Sequence, residues 1–453
     1  MASKNEAQAQ WRPARLIPTA GLRTEKDREQ RAVSALLAVA AGVPDFGKTI
    51  ASELGGPRGR LETYVEVPLK DADGRTCYPD GVLLSTLGKK SLRILIEAKT
   101  GNDQLSKDQV TNYLDLARRH NFDGLLLITN DVLGGPDDIP IEVPKKALSG
   151  GVRLWQLSWW RILTWAIYQR YHQGIEDPEQ AWILGELIHY LQHPGSGAAE
   201  FSDMGERWGE IRDAAKRDAL RRNQASVTEI VQRWDNLVHY VSLDLAQHVG
   251  REVAPLPPKR NASRQEIETD HRDRLVDEGR LTATIRVPDT AGDLTVTAHL
   301  RSQQVVVATK IAAPEEGRAK TQINWLLRQL DENLPADTRI ETRFARTSRT
   351  TAALLGEARD DPEVLLLHDD RKREPRAFEI GIAVSMGTAR RANAKKSFIR
   401  SVRDHTMWFY ENVLQDLREW RPAPPKVQRP TPLREGTRRD TPDFETHLHT
   451  PES

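Results

Sequence analysis

Apolar and polar positions along the chain follow two rhythms, and each predicts a different kind of element. From Thr24 onward, Val33, Leu36, Leu37, Ala40 and Val43 recur at spacings of three and four, which predicts a helix with one buried face. Thr24 reads as its N-cap, and Glu25 and Asp27 place carboxylates at the positive end of the helix dipole. Gly55, Gly56 and Gly59 mark a loop. Over 61–69 the period drops to two, with Leu61, Thr63, Val65 and Val67 against Glu62, Tyr64 and Glu66, which predicts a strand. "DADG" (71–74) reads as a turn, and "YPDGVLL" and "LRILIEAK" as a second and third strand. "LSKDQVTNYLDLARRH" returns to the helical rhythm, with Val110, Tyr113, Leu114 and Ala117 on one face. "DGLLLITN" (123–130) is apolar on both faces, as a central parallel strand is. Residues 157–171 read as an aromatic helix. The order of elements predicts an α/β domain over 21–175.

Farther along, 176–254 reads as a helical region. Val227, Ile230, Val231, Trp234, Leu237, Val238, Val241, Leu245 and Val249 form a long apolar stripe. Packing on the chain's own core is the simplest reading, and a dimer coiled coil the alternative. A Pro-rich stretch at 255–262 reads as a linker. Beyond it, "LTATIRV", "LTVTAHL", "QVVVATKI", "TRIETRF" and "EVLLLHD" predict strands. "KTQINWLLRQL" and the segment starting "FIRSVRDHTMWF" predict helices. Together they predict a second, smaller α+β domain over 263–421. Residues 1–20 read as a loose N-terminus, and 422–453, dominated by Pro, Arg, Thr and Glu, as a disordered tail. No internal repeat is visible.

Composition narrows the classes. The 453 residues suit two or three domains, and 38% apolar with 29% charged residues is globular. A net charge of +1 confines any nucleic-acid surface to a local patch. The single cysteine, Cys77, excludes an intramolecular disulfide and fits a reducing interior. No apolar run approaches the ~20 residues that span a bilayer, and the first residues lack the apolar core of a signal peptide. A cytoplasmic protein without a membrane partner is expected. A composition rich in Ala and Arg fits a high-GC bacterium.

The chemistry sits at the end of the third strand. The apolar run 92–96 ends in Glu97-Ala98-Lys99, and Pro79-Asp80 stands upstream in the preceding strand. Alternation puts Glu97 and Lys99 on one face. If the two strands pair, Asp80 and Glu97 meet at one edge, where two carboxylates repel unless a cation or a shared proton compensates. A hard divalent cation with oxygen ligands is the ordinary solution. Beside it, Lys99 would orient or deprotonate a water, or stabilise charge on a phosphate.

Pro79-Asp80 followed by Glu97-Ala98-Lys99 resembles the PD-(D/E)xK motif of the restriction-endonuclease-like phosphodiesterase superfamily. The element order, a helix, a three-stranded meander, a helix and a strand, is similar to that core. The resemblance covers about residues 24–175. It implies a mixed sheet flanked by helices, and metal-dependent hydrolysis of nucleic acid with Mg²⁺ or Mn²⁺ as cofactor. Carried over, Asp80, Glu97 and the Ala98 carbonyl hold the metal and Lys99 is catalytic. Gln109 and Tyr113, four apart on one helix face, resemble the QxxxY motif of the RecB-like and Cas4-like branch, whose side chains support the site and contact DNA. That branch carries an acid in its first helix, and Glu29 is the inward-facing candidate, with Glu25 one turn earlier. Its Cas4-like members often hold an iron–sulphur cluster on four cysteines, which one cysteine excludes here.

Other residues have plainer readings. Glu97 and Lys99 also suit a solvated pair, and Asp80-Gly81 suits turn chemistry. Trp155, Trp159, Trp160 and Trp165 read as core packing rather than base stacking, and Glu62 and Glu66 as a solvated face. Arg390, Arg391, Lys395, Lys396, Arg400 and Arg403 form the densest basic cluster, read either as phosphate contacts or as a solvated helix start. The histidines lack metal-ligand spacing. The expected function is a metal-dependent nuclease, on DNA rather than RNA, in bacterial defence or DNA repair. It would act as a homodimer or beside a partner ATPase or helicase. The alternative is a non-catalytic nuclease-like scaffold in a stress-response or phage-defence assembly.

Overall fold

The computed structural model describes residues 15–18, 24–101, 106–132, 136–137, 139, 143–198, 201–260 and 262–422. The N-terminus expected to be loose and the tail expected to be disordered lie outside the described residues, apart from 15–18 and Pro422. The first part is a mixed α/β layer. Helices α1 (Glu25–Gly42) and α2 (Pro44–Glu53) lead into strands β1 (Arg60–Val65), β2 (Leu69–Lys70), β3 (Thr76–Cys77), β4 (Gly81–Leu87) and β5 (Lys90–Ala98). Helix α3 (Lys107–Arg119) carries the chain to β6 (Gly124–Thr129), and β7 (Arg153–Ser158) runs into α4 (Trp159–Ile167). The five-stranded sheet has the order β1-β4-β5-β6-β7, and β2 pairs with β3 as a separate ribbon. Its β1–β4 and β4–β5 pairs are antiparallel, while β5–β6 and β6–β7 are parallel.

Side-chain alternation divides the sheet into two faces. Ile94, Ile96, Ala98, Leu126 and Ile128 pack with α1, α2 and α4. Val82, Leu95, Leu125 and Leu127 pack instead with Val110, Leu114 and Ala117 of α3. Strand β6 is buried along its whole length, as its two apolar faces predicted. A crossover of this length between parallel strands is the usual role of a helix, and α3 fills it.

Three helices follow: α5 (Pro178–Gln192), α6 (Trp208–Lys216) and α7 (Ala225–Val249). The apolar stripe of α7 is buried within this chain, from Val227 to Leu245. The second sheet takes β8 (Ala254–Leu256), β9 (Arg280–Arg286), β10 (Leu294–His299), β11 (Gln304–Ala312), β12 (Arg339–Phe344), β13 (Thr350–Leu354) and β14 (Pro375–Ser385). Helices α8 (Arg264–Glu278), α9 (Ala319–Leu327), α10 (Leu355–Asp360) and α11 (Phe398–Asn412) accompany it. Its order is β13-β12-β14-β11-β10-β9-β8 and its pairs are antiparallel, seven strands to the first sheet's five.

Several local expectations are corrected. The stretch 254–256, half read as linker, is the edge strand β8, where Pro255 is tolerated because an edge position need not donate a ladder hydrogen bond. "EVLLLHD" is not a strand. Pro362 opens a short 3₁₀ turn, and Leu365, Leu366 and Leu367 are buried from it. Helices α2, α8 and α10 and strands β3, β7, β13 and β14 have no counterpart among the expected elements, and the strand expected over 61–69 ends at Val65.

Candidate functional site

Antiparallel pairing of β4 with β5 sets Gly81 opposite Ile96, so the residue before Gly81 and the residue after Ile96 face each other. Those residues are Asp80 and Glu97. They stand on the α3 side of the sheet, at the carboxyl end of β5. Asp80 Oδ2 accepts the Ala98 N–H at 2.9 Å. The Lys99 N–H donates to Ile128 O at 2.7 Å, which pins the motif to β6. Gly81 sits close under α1: a Cβ would stand 2.6 Å from Leu37 Cδ1 and 3.1 Å from Val33 Cγ1, so those side chains would have to shift to admit one. The absence of that Cβ lets α1 lie against the strand and bring its own acid to the site.

That acid is Glu29, 6% exposed. Lys99 Nζ donates to Glu29 Oε2 at 3.0 Å and stands 4.0 Å from Glu97 Oε1. Glu29 Oε1 also takes the Thr100 N–H at 3.4 Å. Glu25, the alternative acid, pairs with Arg28 at 3.6 Å on the helix surface. Tyr113 of α3 donates its hydroxyl to Glu97, as inward-facing placement on that helix predicted. Gln109 does something else. Its Oε1 accepts the Ser106 N–H at 3.0 Å while Ser106 Oγ takes the Gln109 N–H at 3.2 Å. This reciprocal box caps α3 and leaves Gln109 exposed at the helix start.

The electrostatics follow from burial. Burial raises Glu97 to about 8, with the Asp80 charge adding to it and Lys99 opposing. Asp80 is raised for the same first reason, against the Ala98 hydrogen bond and Lys99. Burial pulls Lys99 down, but the hydrogen bond and charge of Glu29, with Glu97 and Asp80, outweigh it and the group is raised. Tyr113 is raised by burial and by Glu97. Two facing carboxyls are thus held at elevated pKa beside a lysine that stays charged. Glu97 Oε2 is buried without a hydrogen-bond partner, an oxygen that a cation would satisfy. Among the described residues no group of three or more His, Cys, Asp or Glu side chains is arranged to hold a metal. The donor set that fits one is two carboxylates and the Ala98 carbonyl, the oxygen-only kind that suits Mg²⁺ with water completing its shell.

Residues outside the motif hold this edge in place. The Trp159 indole N–H donates to Lys99 O at 2.9 Å. Asn130, at the end of β6, donates to both Gly101 O at 2.8 Å and Gly197 O at 2.9 Å. The Gly101 N–H in turn donates to Gly197 O at 3.0 Å. The turn Pro194–Ser196 and Gly197, well outside 21–175, therefore braces the segment after Lys99. Sequence offered a signal only for Asn130, a polar residue at the carboxyl end of a parallel strand, where ligands of α/β sheets gather. Beside Asp80 a groove of about 790 Å³ opens, lined by Gln30, Arg31, Val65 and Glu66. Gln30 Nε2 donates to Glu66 Oε1 at 2.9 Å, so Glu66 joins the groove wall, while Glu62 holds the Tyr64 hydroxyl on the surface.

The basic cluster lies on other elements. Arg390 and Arg391 each stand 3.7 Å from Asp203, Lys395 and Lys396 are exposed, and Arg403 binds buried Asp244 at 2.8 Å. Trp155, Trp159 and Trp160 are core residues. Among the described residues no single helix is long and apolar enough to cross a membrane. No family model, no curated protein and no solved structure matches this chain.

Proposed function

We propose that the chain is a metal-dependent phosphodiesterase of nucleic acid, DNA before RNA, with its centre at Asp80, Glu97, Lys99 and Glu29. One observation carries this reading: the buried, unpartnered Glu97 Oε2 faces Asp80 across paired strands, with a charged lysine 4.0 Å from its carboxylate. The meander β1–β4–β5, the crossover α3 and parallel β6 agree with the arrangement that the PD-(D/E)xK resemblance implies, and support a restriction-endonuclease-like core.

Asp80, Glu97 and the Ala98 carbonyl would hold the divalent ion. When bound, Mg²⁺ supplies a Lewis acid and a water of lowered pKa at these oxygens. The chain's own groups do the rest. Lys99 stays charged at neutral pH, so it acts as a hydrogen-bond donor and a counter-charge rather than as a proton acceptor. It orients the attacking water and stabilises charge growing on the phosphate oxygen. Glu29 holds the ammonium in place, and Tyr113 fixes the Glu97 carboxylate.

The test is a cleavage assay on plasmid, linear and single-stranded DNA and on RNA, with Mg²⁺, Mn²⁺ or EDTA. Metal-dependent cleavage is expected, and Lys99→Ala should lower it by roughly 10²-fold or more. Intact nucleic acid in every lane would sink this reading and leave a nuclease-like binding scaffold in its place.

A further inference from the structure

Away from the carboxylates, two adjoining cavities open where α2 and α4 meet α7, β8 and α8. The first lobe, beside α4, holds about 340 Å³ and the second lobe, beside α8, about 300 Å³, and His239, Ala254 and Pro255 line both. Each lobe alone reaches the lower end of small-molecule site volumes, ~300–1,000 Å³.

The second lobe carries buried polar atoms without a hydrogen-bond partner. His271 is 6% exposed, and its Nδ1 has no hydrogen-bond partner. Asp235 stands 3.6 Å from that nitrogen, beyond hydrogen-bond length. Arg264 Nε reaches Glu268 at 3.3 Å, but its buried Nη1 is unpartnered. A buried guanidinium N–H without an acceptor is unfavourable, and an anionic oxygen would relieve it. Burial, with Arg161, Arg264 and His271 nearby, holds His239 down to about 3, so this imidazole is neutral, and Arg264 supplies the positive charge of a wall that Asp235 also lines. The first lobe adds Arg58, Arg161 and Arg251 against Glu53 and Glu252. It also presents Trp165 and Tyr168, neither fully buried, as planar surfaces.

We propose that the two adjoining lobes together bind a mononucleotide, its phosphate toward Arg264 and His271 in the second and its ring against Trp165 and Tyr168 in the first. A guanidinium matches phosphate oxygens in a planar fork, and every base offers a face to stack on an aromatic side chain. A ligand seated there touches α4, which follows the first sheet, and β8, which belongs to the second. The site is independent of the phosphodiesterase reading.

Calorimetric titration of the full-length protein with AMP, GMP, CMP, UMP and inorganic phosphate tests this. EDTA is present throughout, so that the carboxylate centre takes no part. At least one mononucleotide should saturate one site per chain, and bind more tightly than inorganic phosphate. Arg264→Gln and Trp165→Leu should each weaken it roughly tenfold or more, while Lys99→Ala should leave it unchanged. Arg264→Lys, which keeps the charge and loses the fork, replaces Arg264→Gln if that variant fails to fold. The proposal is overturned if none of the four binds at about 1 mM. It is also overturned if binding is lost in Lys99→Ala but kept in the arginine variants, or if inorganic phosphate binds as tightly as the nucleotides.

Discussion

At the scale of single residues, Glu97 concentrates the consequences of the site. Its folded pKa is raised to about 8 by burial, with Asp80 adding to it, from an ordinary 4.5. A raised carboxyl binds its proton more tightly when folded. Its contribution is therefore fully present below about pH 4.5 and lost as pH rises through 8. Without metal, Glu97→Gln should then melt higher than wild type at about pH 9, by at least ~1 kcal/mol, and alike at about pH 5. Thermal unfolding in EDTA at both pH values checks this, and a difference that is flat with pH would contradict it. Mg²⁺ should reverse the order, because the ion binds only the ionised carboxylate. Its stabilisation of wild type should grow between about pH 6 and pH 9 and be absent in Asp80→Ala. Asp80, Glu97, Lys99 and inward-facing Glu29 were legible because spacing and alternation fix which strand end and which helix face they occupy. Trp159 and Asn130 were not. They act on backbone carbonyls of distant segments, and nothing in their local sequence records which carbonyl the fold brings to them.

At the scale of elements, α3 separates two roles that the spacing of Gln109 and Tyr113 merged. Both residues lie on one helix, but the first turn needs its own N–H groups satisfied, and Gln109 is used there. Gln109→Ala should cost about 0.5–1 kcal/mol of stability and leave cleavage within about twofold. Tyr113→Phe should spare stability and depress cleavage, because it releases the Glu97 carboxylate. Denaturation midpoints beside turnover numbers distinguish the two, and a Gln109→Ala protein that is stable but inactive would restore its role in the site. Helix α8 escaped notice because it buries only His271 and Leu275, too narrow a stripe to register against its charge. Its capping box, Ser263 with Glu266, was the signal available. Strand β14 was hidden by Pro375 and Gly381, yet it is central, bonded to both β11 and β12. Pro375 is tolerated at its first position, and Gly381 lies against Ala308 of β11, where a Cβ would stand 3.2 Å from that side chain.

At the scale of the whole molecule, two sheets were readable, but not that they share a core. One apolar cluster runs from Ala32 in α1 to Leu417 beyond α11, through the stripe of α7. At its middle, Trp208 packs on Phe398 with ring centroids 4.2 Å apart, and Trp234 lies 6.3 Å from the same ring. A polar bond locks the same junction: Arg403 Nε of α11 donates to Asp244 Oδ2 of α7 at 2.8 Å, and Asp244 is 2% exposed. If each sheet folded on its own, loosening this junction would split unfolding into two transitions and barely move either. A shared core predicts the opposite. Asp244→Ala strands the guanidinium of Arg403 at the junction, at a cost of roughly 2–3 kcal/mol, less than for a fully buried pair because Arg403 keeps some water. The heat-absorption peak should stay single and shift downward as a whole, with circular dichroism and tryptophan fluorescence moving together. Exchanging both partners for apolar residues, Asp244→Leu with Arg403→Met, should recover much of the loss, since the pair's charges no longer need each other. Two resolved peaks in wild type, or an Asp244→Ala shift confined to one of two probes, would show that the sheets melt independently. The brace that Gly197 gives to Gly101 would then have to survive on its own, and activity would outlast the unfolding of the second sheet.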